Sequence, residues 1–108
     1  MRKLAIYRNK VYAGTLTEKS RDEYVFRYDD VYFTDTTKPA ISLTLPKSQQ
    51  EYTATVLFPF FFNMLSEGVN RQLQSRLLKI DEQDNFGLLA ATAKYDTIGA
   101  ITVKPIEQ

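Results

Sequence analysis

The N-terminal part of the chain alternates apolar and polar residues with the period of two that is typical of β-strands. LAIYRNKVYAGTL, residues 4–16, predicts two short strands joined at Asn9 and Lys10, because asparagine tolerates the positive φ of tight hairpin turns. Gly14 lies late in the second strand and indicates a bulge or a close approach of two backbones. EYVFRY, residues 23–28, predicts a third strand with one aromatic face.

Two more segments predict strands. The aliphatic residues of ISLTLP, residues 41–46, alternate with serine and threonine, which predicts a strand with these side chains on one side. GAITV, residues 99–103, predicts a last strand with its two larger aliphatic residues on one side. The polar stretch KSQQEYTAT, residues 47–55, is interpreted as a linker. The two aliphatic sets are Ile41, Leu43 and Leu45 in the first strand, and Ile101 and Val103 in the last.

The strand period gives way to helical signals after this linker. Because proline is excluded from helix interiors, a helix carrying residues 60–65 is predicted to begin within about one turn of Pro59. Thr53 or Thr55 is its candidate N-cap, and Gly68 is expected to end it.

Two further helices are predicted from spacing and capping signals. Four apolar residues at i, i+4, i+8 and i+11 predict the second helix. They are Val69, Leu73, Leu77 and Ile80. Asp81, followed three residues later by Asp84, imitates a capping box and predicts the start of a third helix. The apolar residues of that helix are Phe86, Leu89, Ala90 and Ala93.

The order of elements, with strands first, helices next and one strand last, predicts an α+β fold. We expect a small, mainly antiparallel sheet with about three helices packed on one face. A chain of 108 residues, 44% hydrophobic and 25% charged, has the size and composition of one domain, residues 1–108. The helix residues expected to cover the sheet are Phe61, Leu65 and Leu89.

The composition argues against several kinds of chemistry. A net charge of +1, from 14 basic and 13 acidic residues, gives no long-range attraction to nucleic acid. Without cysteine or histidine, the chain has no disulfide and lacks the usual zinc ligands and the usual general base. Its four scattered glycines form no phosphate-binding motif. The sequence therefore predicts no catalytic residue, no cofactor site and no metal site.

The sequence carries no signal for export or membrane insertion. The N-terminus MRKLAIYRNK becomes charged again after an apolar stretch of four residues. The longest apolar run, residues 56–62, is far shorter than the about 20 residues that cross a bilayer. We therefore expect a cytoplasmic domain without a membrane partner.

Three polar constellations have both a functional and a structural interpretation. The acidic stretch YDDVYFTD, residues 28–35, matches no calcium-loop spacing, so a solvated turn is favoured over a metal site. Glu67 and Asp84 are interpreted as caps or exposed charges rather than as a catalytic pair. The first hairpin interleaves charges and rings as RNA-stacking surfaces do, but strand tyrosines commonly pack on their sheet, and packing is favoured. The hairpin residues concerned are Tyr7, Arg8, Lys10 and Tyr12.

An ordered series of motifs gives the chain a family resemblance. The motifs are YAGTL at 12–16, SLTLP at 42–46, FFFNMLSEG at 60–68 and DNFGLLAATAKYDTIGAITV at 84–103. In this order they resemble the N-terminal subdomain of HipA-type serine/threonine kinase toxins, from about Leu4 to Val103. Ser66 departs from the family pattern, which usually has proline at this position.

The resemblance implies a free-standing, HipS-like protein of a HipBST-type toxin–antitoxin system, because the chain is expected to end at Gln108, before the family's kinase subdomains. On that resemblance the chain is a non-catalytic antitoxin or regulatory subunit that binds and inhibits a HipA/HipT-like kinase. A HipB-like DNA-binding protein is a further candidate member of the complex. The alternative function is a small nucleic-acid-binding module that autoregulates a toxin–antitoxin operon, which the near-neutral charge disfavours; no direct nucleic-acid contact is expected.

The corner between the first two predicted helices is the candidate partner-binding site. One helix ends there, Gly68 permits a sharp turn, and the next helix start supplies N–H donors that suit anionic groups. The alternative is an inert helix–helix turn. The residues that this corner is expected to project are Ser66, Glu67, Val69, Asn70 and Arg71.

Overall fold

One antiparallel sheet of five strands forms the framework of the fold. The computed structural model describes residues 2–63, 76–77, 79–81, 83–92 and 100–106. The strands are β1 (Arg2–Arg8), β2 (Val11–Ser20), β3 (Glu23–Tyr28), β4 (Glu51–Ala54) and β5 (Ile101–Pro105). They lie side by side in the order β4-β3-β2-β1-β5.

Helices pack on one face of this sheet. Among the residues that the structure describes, they are α1 (Asp30–Thr34), α2 (Pro59–Phe62) and α3 (Asn85–Thr92). All three contribute buried side chains to the hydrophobic core, with Tyr32 from α1, Phe61 from α2, and Phe86 and Leu89 from α3. The predicted α+β class is confirmed.

The β1–β2 hairpin forms as its turn residues predict. Asn9 and Lys10 have φ values of 50° and 68°, which is the left-handed region that this turn needs. Pairing of β1 with β2 shifts after Ile6, which lies opposite Gly14. A Cβ atom on Gly14 would lie 2.4 Å from the carbonyl oxygen of Arg27, so both the bulge and the close approach are confirmed.

The predicted aromatic face of β3 points into the core. Phe26 and Tyr28 are fully buried, and Tyr24 is partly buried against the same cluster. The rings of Phe26 and Tyr28 meet edge to face, with centroids 4.8 Å apart. In β5, at the opposite edge of the sheet, Ile101 and Val103 are both buried, so they share one side as predicted.

The segment ISLTLP forms a turn, so the strand predicted there is wrong. The Thr44 N–H donates to the Ser42 hydroxyl at 3.2 Å, and the Leu45 N–H donates to the Ser42 carbonyl at 3.1 Å. Leu45 is buried, whereas the side chain of Leu43 is 99% exposed, so the alternate aliphatic residues do not share a face. Local hydrogen bonds to Ser42 occupy backbone groups that a strand would pair with a neighbour.

The fourth strand of the sheet comes from the stretch that was predicted to be a linker. β4 pairs with β3, with Ala54 opposite Tyr24 and Tyr52 opposite Phe26. Within the described part of the chain, β4 lies at the edge of the sheet, and one of its sides has no neighbouring strand. Glu51 and Thr53 of β4 are exposed to solvent. Because both residues are polar, the segment was interpreted as a linker rather than as a strand.

The start of α2 differs from the prediction. Phe58 occupies the N-cap without a side-chain hydrogen bond, and Pro59 is the first helical residue. Thr53 lies in β4 and Thr55 follows that strand, so neither caps the helix. Proline at the first position needs no N–H partner, which makes a side-chain cap less important.

The predicted second helix falls mostly outside the described residues, Val69 and Leu73 included. Leu77 is 71% exposed, so its predicted place on a buried face is wrong. Lys79 has a φ of 57°, which interrupts the helical spacing between Leu77 and Ile80. Ile80 packs against the core on the far side of that turn.

A short helix, α1, was not predicted from the acidic stretch. Asp29 is its N-cap, and its carboxylate accepts from the Tyr32 N–H at 3.4 Å. The carboxylate of Asp30 accepts hydrogen bonds from Arg27 at 3.2 Å and from Gln50 at 2.6 Å. Five residues are too few for a helical period to show in the sequence.

An ionic contact joins β1 to the start of α3. The Asp84 carboxylate, rather than that of Asp81, caps α3 by accepting from the Gly87 N–H at 3.1 Å. The Arg2 guanidinium donates two parallel hydrogen bonds to Asp84, of 2.9 and 2.8 Å, and one of 2.8 Å to Glu18. This bidentate geometry is the strong form of an arginine–carboxylate pair.

Replacing Asp84 with alanine is expected to lower the free energy of unfolding by about 1 to 3 kcal/mol, because it removes the cap of α3 and the partner of Arg2. Asp84→Asn is the matched control, since its amide oxygen can still cap the helix. Solvent screens most of the attraction between the Arg2 and Asp84 charges, because the Arg2 side chain is 45% exposed. The asparagine variant should therefore lie between the other two proteins in urea denaturation.

The same pair gives the stability an acid dependence. The hydrogen bond from Arg2 holds the pKa of Asp84 below its usual 3.8, so the unfolded chain takes up this proton more readily. The stabilisation is thus present above pH 3.8 and is lost as the pH falls through the lower folded pKa. Asp84→Asn should lose less stability than the wild type between about pH 5 and pH 2. Identical acid profiles of the two proteins would contradict this prediction.

Candidate partner-binding surface

The corner predicted to bind a partner lies outside the residues that the structure describes. This applies to Ser66, Glu67, Val69, Asn70 and Arg71, and their role stays a prediction. The structure does describe α2, which ends at Phe62 with Asn63 as its C-cap, so the prediction that this helix continues through residue 65 and ends at Gly68 is wrong.

A long loop between α1 and β4, which we call the anchored loop (residues 35–47), is held by tyrosine hydroxyls. The Tyr28 hydroxyl accepts from the Ile41 N–H at 3.1 Å and donates to the Leu45 carbonyl. The Tyr32 hydroxyl donates to the Pro39 carbonyl at 2.6 Å. These hydrogen bonds fix backbone groups that no strand or helix would otherwise pair.

Lys47 connects the two ends of the anchored loop through hydrogen bonds. The Lys47 ammonium donates to the carbonyl oxygens of Asp35 at 2.7 Å and Lys38 at 2.8 Å. It also lies 5.0 Å from the ring centroid of Tyr32, within the range of a cation–π contact. Both ends of the loop are therefore tied to the same short helix.

The Tyr28 hydroxyl keeps its proton at neutral pH, as its hydrogen bond to the loop requires. Burial raises the pKa of Tyr28 to about 12, so its hydroxyl stays protonated at neutral pH and can donate to Leu45. Tyr28 also stacks on Tyr32, with ring centroids 6.0 Å apart and an interplanar angle of 1°. The two tyrosines that hold the loop, Tyr28 and Tyr32, are therefore packed against each other.

Leu43 is the large hydrophobic residue of the anchored loop that is exposed to solvent. Its side chain is 99% exposed, although its neighbours Ile41 and Leu45 are buried on either side. An aliphatic side chain held in water by a fixed backbone gains nothing for the fold of the chain itself. Single exposed aliphatic residues are common on protein surfaces, so the surroundings of Leu43 decide whether a partner can cover it.

A groove of about 440 Å³ lies beside Leu43. Phe60 of α2 and Ile101 of β5 are among its walls, and the anchored loop supplies Ala40 as well as Leu43. Arg8, the last residue of β1, also lines it. The next aromatic residue of α2, Phe62, is 37% exposed. In the residues that the structure describes, the loop, α2 and the sheet together form an apolar concave surface that contains one arginine.

Other polar groups from the sequence have structural surroundings. The rings of Tyr7 and Tyr12 pack with centroids 5.8 Å apart, and the Lys104 ammonium lies 5.2 Å from the Tyr7 ring centroid. Arg8, which the sequence groups with these tyrosines, instead lines the groove. Asp84 caps α3, and Glu67, which was interpreted as a cap or an exposed charge, lies outside the described residues.

No cluster of three or more acidic, histidine or cysteine residues has the arrangement of a metal site in the part of the chain that the structure describes. Within the same residues, no helix is long and apolar enough to span a bilayer.

The sequence pattern missed Leu43 and placed it with buried neighbours. One local signal was present, since serine and threonine flank this leucine and both residue types favour turns through side-chain hydrogen bonds. The anchors themselves were not visible, because Tyr28 bonds to residues 13 and 17 positions away.

Comparison with known proteins gives the same answer from sequence and from fold. The family profile of the HipA N-terminal domain matches residues 4–104. A solved structure described as the N-terminal domain of HipA toxin superposes with a TM-score of 0.73 and 22% sequence identity. The superposition covers 100% of this chain and 95% of that chain. At this identity the structural likeness concerns the fold, and the profile match concerns the family.

Proposed function

This chain belongs to the HipA N-terminal domain family, and we propose that it is a non-catalytic antitoxin subunit that binds and inhibits a HipA/HipT-like serine/threonine kinase. The proposal assigns the chain no chemical step. It agrees with a sequence that has no histidine, no cysteine and no glycine-rich phosphate loop. The proposed complex is cytoplasmic and can include a HipB-like DNA-binding protein.

The family match supports a kinase as the partner, and the place of the exposed Leu43 in an apolar groove with Phe60 and Ile101 is the observation that supports binding through this surface. Covering a leucine side chain that is 99% exposed would contribute about 1.5 to 3 kcal/mol to association. The anchors from Tyr28 and Tyr32 already hold the loop, so little conformational entropy remains to be lost on binding. A rigid apolar projection next to a groove is a common form of protein contact.

Inhibition follows if this surface binds an inactive conformation of the kinase more tightly than the active one. A ligand shifts a conformational equilibrium only by its difference in affinity for the two states. The candidate corner at residues 66–71 begins four residues after the end of α2 at Phe62 and is proposed as a second contact. Contact through both would let one small domain restrain a larger enzyme.

Co-expression with the product of the neighbouring gene, which the proposal expects to be a HipA/HipT-like kinase, tests the proposal. We expect the two proteins to purify together and the kinase to autophosphorylate less in the complex. Leu43→Asp should weaken the affinity about 10- to 100-fold, since it places a charge in an apolar contact. Failure of the wild-type chain to bind the kinase would overturn the proposed function.

Val31→Asp is the matched control for this experiment. Val31 lies on α1, is 76% exposed and does not line the groove. Its substitution introduces the same charge at an exposed aliphatic position, so kinase binding should be unchanged. Equal binding by the Leu43 variant and the wild type would mean that the contact lies elsewhere, with the corner at residues 66–71 as the next candidate.

A further inference from the structure

The groove beside Leu43 contains a single kind of charge. Among the lining residues that the structure describes, Arg8 is the one ionised side chain, and the others are apolar or carry a hydroxyl. They include Ala40, Leu43, Phe60 and Ile101. A cation surrounded by apolar walls loses water when the groove is filled.

The backbone of Arg8 is fixed on both sides. It lies opposite Val11 of β2 and Ile101 of β5, and the next residue, Asn9, donates its N–H to the Ala100 carbonyl at 2.9 Å. The guanidinium therefore extends from a rigid base. Arg8 lines the groove together with Pro39 and Ala40, so it lies beside the anchored loop.

Leu43 and Arg8 line the same groove, so a partner that covers the leucine also dehydrates the arginine. A buried charge without a counter-charge is strongly unfavourable, whereas an arginine–carboxylate pair can satisfy both groups through parallel hydrogen bonds. An occupant that is purely apolar would leave Arg8 unsatisfied. A nucleic acid would need several clustered cations, and the described lining supplies one.

We propose that the groove binds a segment of the kinase in which a large apolar side chain lies next to a carboxylate. The apolar side chain occupies the space between Leu43, Phe60 and Ile101, and the carboxylate pairs with Arg8. This inference rests on the proposed function and adds to it the chemistry of the segment that the kinase must present. A second copy of this chain is the competing occupant.

Charge variants of Arg8 test the inference by titration with the purified kinase. Arg8→Gln should weaken binding about 30-fold or more, because a buried carboxylate of the kinase would lose its partner. Arg8→Glu should weaken it further by like-charge repulsion. Arg8→Lys keeps the charge without the bidentate geometry, so its affinity should lie between those of the wild type and the glutamine variant.

Arg27→Glu is the control variant. Arg27 is an exposed arginine of β3 that does not line the groove, so its reversal should leave the affinity within about threefold of the wild type. Thermal denaturation of every variant checks that the fold is intact. If Arg8→Glu does not fold, Arg8→Gln decides, because it introduces no new charge.

The outcomes separate this inference from the proposed function. Wild-type binding that is lost in Leu43→Asp and weakened in Arg8→Gln supports both. Tight binding by the folded Arg8 variants, with loss in Leu43→Asp, overturns the carboxylate and leaves the function standing. No kinase binding by the wild type overturns the function and this inference together. Self-association of the wild type that Arg8→Glu abolishes would assign the groove to a second copy and overturn the kinase segment.

Discussion

Replacing Phe61 with alanine should lower the free energy of unfolding by about 3 to 5 kcal/mol, which would leave a domain of this size close to unfolding. Phe61 is fully buried in the core. Its ring lies 5.8 Å from that of Phe26 on the sheet, 6.3 Å from that of Phe58 and 5.2 Å from that of Phe60, measured between centroids. Truncation would open a cavity where the helix and the sheet meet.

Phe62→Ala is the matched control, because Phe62 is the next residue of the same helix and is 37% exposed. Urea denaturation at neutral pH should show a much smaller loss for this variant than for Phe61→Ala. Leu89→Ala, at another fully buried position, is expected to cost about 2 to 5 kcal/mol. Similar stabilities for the Phe61 and Phe62 variants would show that the helix does not depend on this contact.

The parts of the fold that the sequence predicts are those set by local chemistry. The β1–β2 hairpin follows from the turn at Asn9 and Lys10, and the bulge follows from Gly14. Phe61 and Leu89 are buried as predicted, because helix and strand periods place them toward the sheet. The same reasoning applies to Leu65, which lies outside the described residues.

The predictions fail between residues 41 and 54, where distant residues decide the structure. Alternation in ISLTLP is the pattern of a half-buried strand, but hydrogen bonds from Tyr28 hold this segment as a turned loop. Periodicity cannot show a hydroxyl that bonds to backbone 13 or 17 residues away. The polar strand β4 is missed for the opposite reason, since an edge strand needs few apolar residues.

The candidate site could likewise be predicted from the sequence only where it depends on residues that are neighbours in the chain. A sequence motif pointed to the corner at residues 66–71, while the exposure of Leu43 became visible only in the folded chain. Arg8 was grouped with Tyr7 because the two are neighbours in the sequence. Adjacent residues of a strand face opposite sides, so the fold separates them and brings Arg8 to the groove.

Replacing Tyr28 with phenylalanine should lower the free energy of unfolding by about 2 to 4 kcal/mol, because it leaves the buried Ile41 N–H and Leu45 carbonyl without their partner. Tyr52→Phe is the matched control: its hydroxyl donates to the Pro46 carbonyl at 2.6 Å in an exposed position, where water can replace it. If the rigidity of the anchored loop matters for binding, Tyr28→Phe should also weaken the kinase affinity, although Tyr28 does not line the groove.

The pH dependence of stability gives an independent check on Tyr28. Because burial raises its pKa from 10 to about 12, the unfolded chain loses this proton first as the pH rises. The stabilisation is complete below pH 10 and is lost between pH 10 and about 12, so the wild type should lose stability more steeply there than Tyr28→Phe. Burial also raises the pKa of Tyr24 and Tyr32, and their contribution remains in both proteins. Parallel alkaline profiles, or unchanged stability at neutral pH, would show that the Tyr28 hydroxyl does not hold the loop that presents Leu43.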